Sequence, residues 1–175
     1  SVSVLFADLV GFTKIASTVD PNDLVNSLND LFSRFDDRVV SMGIEKIKTI
    51  GDCYMAISGI RDESENHALK MIEFARGLLQ DVKEFNKTSK YQFDIRIGIN
   101  SGEVVAGVIG KIKFIYDVWG DTVNIASRME TLSKPGFIHV SEHTYELTKN
   151  LVAYTQAETQ NVKGKGEMKT YFVQL

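Results

Sequence analysis

The sequence predicts an α+β fold in which helices cover a mainly antiparallel sheet, and three patterns predict it. Strand-like runs come in adjacent pairs, Ile44 to Ile50 with Tyr54 to Ser58 and Glu103 to Ile109 with Phe114 to Trp119. Two long stretches repeat apolar residues at helical spacing. The helices fall between strand pairs rather than in the strict strand–helix alternation that builds a parallel sheet. At 175 residues the chain can bury a real core without disulfides, and a single domain over residues 1–175 is expected.

Each element has its own signal. Val2 to Ala7 is a mostly apolar run ending at Asp8, which reads as a buried strand. Asp20 and Pro21 open a helix, Asp as cap and Pro at the first helical position. Leu24, Val25, Leu28, Leu31, Phe32, Phe35 and Val39 continue it, and Gly43 closes it. Ile44 to Ile50 and Tyr54 to Ser58 form a hairpin around Gly51 and Asp52. Ala68, Leu69, Met71, Ile72, Ala75, Leu78, Leu79 and Val82 mark a second long amphipathic helix. Phe93, Ile95, Ile97 and Ile99 alternate strictly, which puts Asp94 and Arg96 on the opposite face. The next two strands turn near Gly110 and Lys111, and the second ends at Gly120, where the capping residue Asp121 starts a helix. A strand at Phe137 to Val140, a helix from Ser141 and two closing strands complete the chain.

Composition removes several classes of function. A net charge of −3 leaves no basic excess for general nucleic-acid binding. The single cysteine, Cys53, excludes a disulfide framework and fits a reducing compartment. No apolar run approaches the length of a membrane span; Val104 to Ile109 is typical of the longest. The chain opens directly into a strand without a signal peptide. The expectation is a cytoplasmic domain excised from a larger protein, with a regulatory or membrane module upstream.

Several polar residues sit where chemistry could be built. Asn124 and Arg128 lie four residues apart on a helix, so both project from one face. The planar fork of Arg suits phosphate oxygens, and Asn can fix a ribose or base nearby. Asp8 at a strand end has an ordinary role as a helix cap, and Asp52 one as a turn residue. Together, two carboxylates at the ends of neighbouring strands make a site for Mg²⁺, which commonly takes one or two carboxylates plus waters and substrate phosphates. Lys163 lies in a Lys-Gly-Lys-Gly turn. Gly164 to Thr170 superficially resembles a phosphate-binding P-loop, but no Gly precedes Lys169 and the segment runs into a strand. His67, His139 and His143 are scattered without ligand spacing and read as structural, so no His base is expected. Cys53 reads as a small buried hydrophobe with no activating neighbour.

Five ordered blocks then carry a family resemblance. They are Phe6 to Thr13, Lys46 to Asp52, Arg96 to Ile99, Tyr116 to Glu130 and Asn161 to Gly166. Across nearly the whole chain the sequence closely resembles the class III nucleotidyl cyclases, the adenylyl and guanylyl cyclase catalytic domain. The resemblance implies a ferredoxin-like βαβ core with extensions. It implies two Mg²⁺ (or Mn²⁺) per active site, bound by Asp8 and Asp52 with help from the Leu9 carbonyl. The implied reaction is attack of a ribose 3′-OH on the α-phosphorus of the same nucleotide, expelling pyrophosphate. Arg128 would neutralise the α-phosphate, Asn124 would orient the ribose, and Arg96 and Lys163 would hold the outer phosphates. The backbone from Val10 through Phe12 and Thr13 would cradle phosphates at a helix start. Adenylyl cyclases carry Lys and Asp at the positions of Lys48 and Asp117, where guanylyl cyclases typically carry Glu and Cys. Lys can donate to adenine N1 and Asp can accept from the exocyclic amine, so ATP is the expected substrate. The family also implies a head-to-tail homodimer with two shared interfacial sites. Asp8, Asp52 and Arg96 would come from one protomer, and Lys48, Asp117, Asn124, Arg128 and Lys163 from the other. The rival expectations are a guanylyl or dual-specificity cyclase, and a non-catalytic nucleotide-sensing module, against which the presence of Asp8, Asp52 and Arg128 speaks.

Overall fold

A mostly apolar run, Val2–Val10, buried on both faces over most of its length, forms β1, the strand around which the sheet is built. A computed structural model describes residues 1–61 and 66–175. Strand β1 pairs antiparallel with β3 (Cys53–Ser58) on one side and with β4 (Asp94–Gly102) on the other. The full sheet runs β2-β3-β1-β4-β7-β9-β8, with β2 at Glu45–Ile50, β7 at Ile138–Ser141, β8 at Glu158–Val162 and β9 at Gly166–Phe172. Only β4 and β7 pair in parallel among the described strands. Helix α2 (Pro21–Met42) links β1 to β2, and α3 (His67–Thr88) lies between β3 and β4. That is the ferredoxin-like core, and β7, β9 and β8 extend it beyond β4. A separate two-stranded sheet holds β5 (Val105–Ile109) and β6 (Ile115–Trp119). The remaining helices are α1 (Phe12–Ala16), α4 (Asp121–Thr131) and α5 (Glu142–Thr148).

The pleat of β1 divides the interior in two. Leu5, Ala7 and Leu9 face one way and pack against Leu31 and Phe35 of α2 and Phe74 and Leu78 of α3. Val2, Val4 and Phe6 face the other way, with Met55, Ile57, Val118 and Ala126 of α4. The sheet is therefore covered on both faces. Helix α2 begins and ends where its sequence dictates: the Asp20 carboxylate accepts from the amides of Asn22 and Asp23, and Gly43 closes it at φ 61°. Among the described residues no helix is long and apolar enough to cross a membrane.

Two local expectations are corrected. Strand β1 does not stop at Ala7 but continues through Asp8 to Val10, because Asp8 is paired with both Cys53 and Arg96. Asp8 therefore caps no helix; α1 starts after Gly11 without a side-chain cap. At the other motif, Gly120 itself is the cap residue and Asp121 is the first residue of α4. The chain turns there at φ 141°, a conformation open to Gly and denied to Asp.

Gly98 sets how closely α4 approaches the sheet. A Cβ at this position would lie 1.9 Å from the backbone nitrogen of Glu130. Gly98→Ala should therefore push α4 off β4 and cost about 3 kcal/mol, by analogy with overpacked cores. Urea denaturation of the variant measures this, and wild-type stability would show that strand and helix separate freely.

Candidate active site

The first polar group stands at the open end of β1. Asp8 projects from the α4 face of the sheet, because alternation places it with Val4 and Phe6. Arg96 is its register partner on β4 and shares that face. The Arg96 Nη2 donates to Asp8 Oδ2 at 3.4 Å, and its Nε donates to Oε1 of Glu130. Asp52 sits in the β2–β3 turn, whose position is fixed by the Leu9 amide donating to the Asp52 carbonyl at 3.3 Å. Burial, Glu130 and Asp52 raise the Asp8 carboxyl to about 6, against the opposing pull of Arg96. A site that resists its own negative charge in this way favours a cation. Among the described residues no group of three or more His, Cys, Asp or Glu is placed to hold a metal ion, so any ion here would rely on the two aspartates, backbone oxygen and substrate.

The second group depends on a fault in the sheet. Glu45 and Lys46 pair regularly with Ile57 and Ala56, but the register then slips and Lys48 faces Met55. Plain alternation would put Lys46 and Lys48 on one face. The bulge at Ile47 separates them instead, as bulges near sites commonly do. Lys46 reaches Asp36 of α2. Lys48 turns to the opposite face and forms an ion pair with Asp117 of β6. Asp117 is 14% exposed, and a second carboxylate oxygen accepts from the Val118 amide at 2.8 Å. Burial works against its charge, but the Lys48 hydrogen bond, the Val118 amide and the Lys48 charge outweigh it and hold the carboxyl below its usual range. Neither residue is the solvated strand charge its sequence surroundings would suggest.

The third group surrounds α4. Asp121, Asn124, Ile125 and Arg128 line an open cleft with Lys163, Gly164 and Lys165 of the β8–β9 turn. Lys165 is ion-paired with Asp121 at 2.6 Å, which ties that turn to the start of the helix. Asn124, Arg128 and Lys163 thus meet, as their motif positions predict. Asp8, Asp52 and Arg96 meet elsewhere. Arg128 and Glu130 are two residues apart, so they leave the helix on nearly opposite sides. The two groups accordingly flank one helix and do not form a single pocket within a protomer.

Phe12 is partly buried against the main core, and Thr13 is exposed beside it. Cys53 is half-buried against the α4-side core. Burial, with the nearby carboxylates of Asp8, Glu130 and Asp52, pushes its thiol up to about 12, so it is no nucleophile at neutral pH. His139 is fully buried, hydrogen-bonded through Nδ1 to the Met129 carbonyl at 2.8 Å and stacked on Phe172. His67 bonds Ser3 at 2.9 Å. Both fill structural roles. Sequence reasoning missed Glu130, whose only signal is a carboxylate on the helical stripe that carries Ala126 and Met129 into the core.

The whole chain, residues 1–175, matches the adenylate and guanylate cyclase catalytic domain, and the protein belongs to that family. An adenylate cyclase of Mycobacterium tuberculosis is 43% identical over 171 residues, which cover 98% of this chain and 39% of the relative. The chain therefore spans about two fifths of that relative's length. Among solved structures, the guanylate cyclase domain of RhGC from Catenaria anguillulae in complex with GTP has a TM-score of 0.92 at 38% identity, covering 99% of this chain and 95% of that one. The adenylyl cyclase CyaB from P. aeruginosa also scores 0.92, at 26% identity over 99% of this chain and 93% of its own. Relatives with either substrate name are present, so the choice of base has to be argued from side chains.

Proposed function

We propose that this domain converts ATP to 3′,5′-cyclic AMP and pyrophosphate. The observation that carries the choice of ATP is the Lys48–Asp117 pair, a fixed donor beside a fixed acceptor. Adenine presents an acceptor at N1 and a donor at its exocyclic amine, which is the complement of that pair. In the reaction the 3′-oxygen bonds to the α-phosphorus, the bond to the pyrophosphate oxygen breaks, and the hydroxyl proton leaves to substrate phosphate or water. Arg128 faces the charge that grows on the α-phosphate, and Asn124 orients the ribose. Lys163 and Arg96 hold the outer phosphates, with backbone N–H groups of Val10 to Thr13, including Phe12 and Thr13. Positioning and charge neutralisation dominate, since little covalent chemistry falls to the protein.

Asp8, Asp52 and the Leu9 carbonyl would hold two Mg²⁺ (or Mn²⁺). The all-oxygen donor set and the electrostatic strain on Asp8 both fit hard cations. When bound, such ions supply charge neutralisation of the triphosphate and a lowered pKa for the 3′-hydroxyl. The guanylate cyclases among the relatives favour a second reading, in which GTP is the substrate or shares the site. Product formation from ATP and GTP, measured side by side on purified protein, tests the choice; faster turnover of GTP would overturn it.

The two halves of the machinery flank α4 in one chain, which supports a head-to-tail homodimer with two shared sites. A second observation agrees. The β5–β6 hairpin leaves Val105, Val108, Ile109, Ile112, Phe114 and Ile115 at least half exposed, and clustered exposed apolar side chains of this kind mark interaction surfaces. Asp8→Ala and Asn124→Ala homodimers should each be nearly inactive. Mixed in equal amounts, they should recover about a quarter of wild-type activity, because half the dimers carry one intact site. No recovery despite confirmed subunit exchange would contradict the shared site.

A further inference from the structure

We propose that Glu130 is a positioning residue, which holds the Arg96 guanidinium so that its terminal nitrogens face the Asp8–Asp52 corner. The proposal rests on the reading of Arg96 as a ligand for the outer phosphates. Glu130 is a buried carboxylate, with a side chain only 8% exposed, and Arg96 is its ion-pair partner among the described residues. Carboxylates are rarely buried to this degree without a firm partner. Its backbone is clamped as well, because the missing side chain of Gly98 lets the Glu130 amide lie against β4. Gly98 is two residues from Arg96 on the same strand face, so the helix delivers the carboxylate to the Arg96 side chain from a fixed height.

The choice of atoms matters. Glu130 takes the Nε–H of Arg96, while Nη2 bonds Asp8 at the long distance of 3.4 Å. An acceptor on Nε fixes the plane of the guanidinium and leaves its outer edge, with four N–H bonds on the two terminal nitrogens, for other oxygens. A triphosphate reaching Asp8 and Asp52 has to win only the weak Asp8 contact, and Arg96 stays aimed because Glu130 keeps the other side. Without Glu130 the same guanidinium would collapse onto the two aspartates, where its charge opposes a cation.

Steady-state kinetics with ATP and saturating Mn²⁺ test this on Glu130→Gln, Arg96→Ala and the double variant. Glu130→Gln should raise KM about tenfold while kcat stays within about threefold, since Gln keeps the shape but weakens the charge-assisted bond. Arg96→Ala should raise KM at least as much, and the double variant should be no worse than Arg96→Ala alone. Glu130→Asp, which keeps the charge but falls one methylene short, serves if the Gln variant does not fold, and should show the same rise in KM. A wild-type KM in the folded Glu130 variant overturns the proposal. So does a loss that persists undiminished in the Arg96→Ala background, which would mean that Glu130 acts on the metal site or the helix rather than through Arg96. An unchanged KM in Arg96→Ala would instead remove the phosphate role of Arg96 itself, a distinct failure.

Discussion

Asp8→Ala and Asp52→Ala should each lower turnover by on the order of 10³-fold or more with Mg²⁺ supplied, because each removes one of two carboxylates available to a cation. Neither change should unfold the domain. Asp52 lies in an open turn, and Asp8 contributes one long hydrogen bond to Arg96, which Glu130 continues to hold. The Asp8→Asn variant separates function from stability. Asp8 has its carboxyl raised from 3.8 to about 6, by burial first and then by Glu130 and Asp52. Below pH 3.8 both folded and unfolded chains keep this proton, and the group costs nothing. Between the two values only the unfolded chain ionises, so stability falls as pH rises, and above about 6 the full penalty is present. Asp8→Asn should therefore be inactive and yet more stable than wild type at pH 7.5 in EDTA, by about 1 kcal/mol after allowance for solvent screening. Thermal unfolding and product assays on the same samples measure both effects. Near-wild-type activity in either alanine variant would take the metal away from this pair of residues.

Exchanging the two residues proposed to read the base, Lys48→Glu with Asp117→Cys, should shift the ratio of kcat/KM toward GTP by about 10²-fold or more. Guanine carries an acceptor at O6 and a donor at N1, the reverse of adenine. Against wild type, Lys48 would find no acceptor and Asp117 no donor. Each polar group left unpaired beneath a bound base costs about 1–3 kcal/mol, and more when charged. The single variants should mainly lose activity, and unequally. Lys48→Glu brings a second carboxylate against Asp117, which depends on Lys48 for its depressed pKa, whereas Asp117→Cys leaves Lys48 near the surface and hydrated. Both nucleotides should be assayed in wild type, singles and double. An active, folded double variant with unchanged preference for ATP would show that these two residues do not read the base.

The long amphipathic elements were legible from sequence because their signals are local. The start of α2 is written in Asp20 and Pro21 and its end in Gly43, and alternation along β4 exposes Arg96 on one face directly. Other features depend on partners distant in the chain. The Ile47 bulge appears only when β2 is laid against β3, so spacing alone puts Lys48 on the wrong face. Asp8 stays in its strand because Cys53 and Arg96 flank it, not because of anything between Val2 and Gly11. Glu130 meets Arg96 across 34 positions, and a helical Glu looks the same in sequence whether it is solvated or buried. The position of Gly120 was visible, but its role as cap required its backbone angle. The residues proposed to carry chemistry stood out through motif resemblance, whereas Glu130, proposed to aim one of them, did not.

The eleven residues of α4 have a consequence for how the two catalytic centres of the proposed dimer behave together. Arg128 on one side of the helix would serve one centre, and Glu130 on the other side, through Arg96, would serve its twin. A short helix seated this closely on a strand at Gly98 would shift as one body, so a displacement on one side would be felt on the other. Filling the first centre should then alter affinity at the second, and linkage makes that influence equal in both directions. Rate against nucleotide concentration should depart from a simple hyperbola in the wild-type dimer. The hyperbola should return in mixed dimers that retain only one working centre.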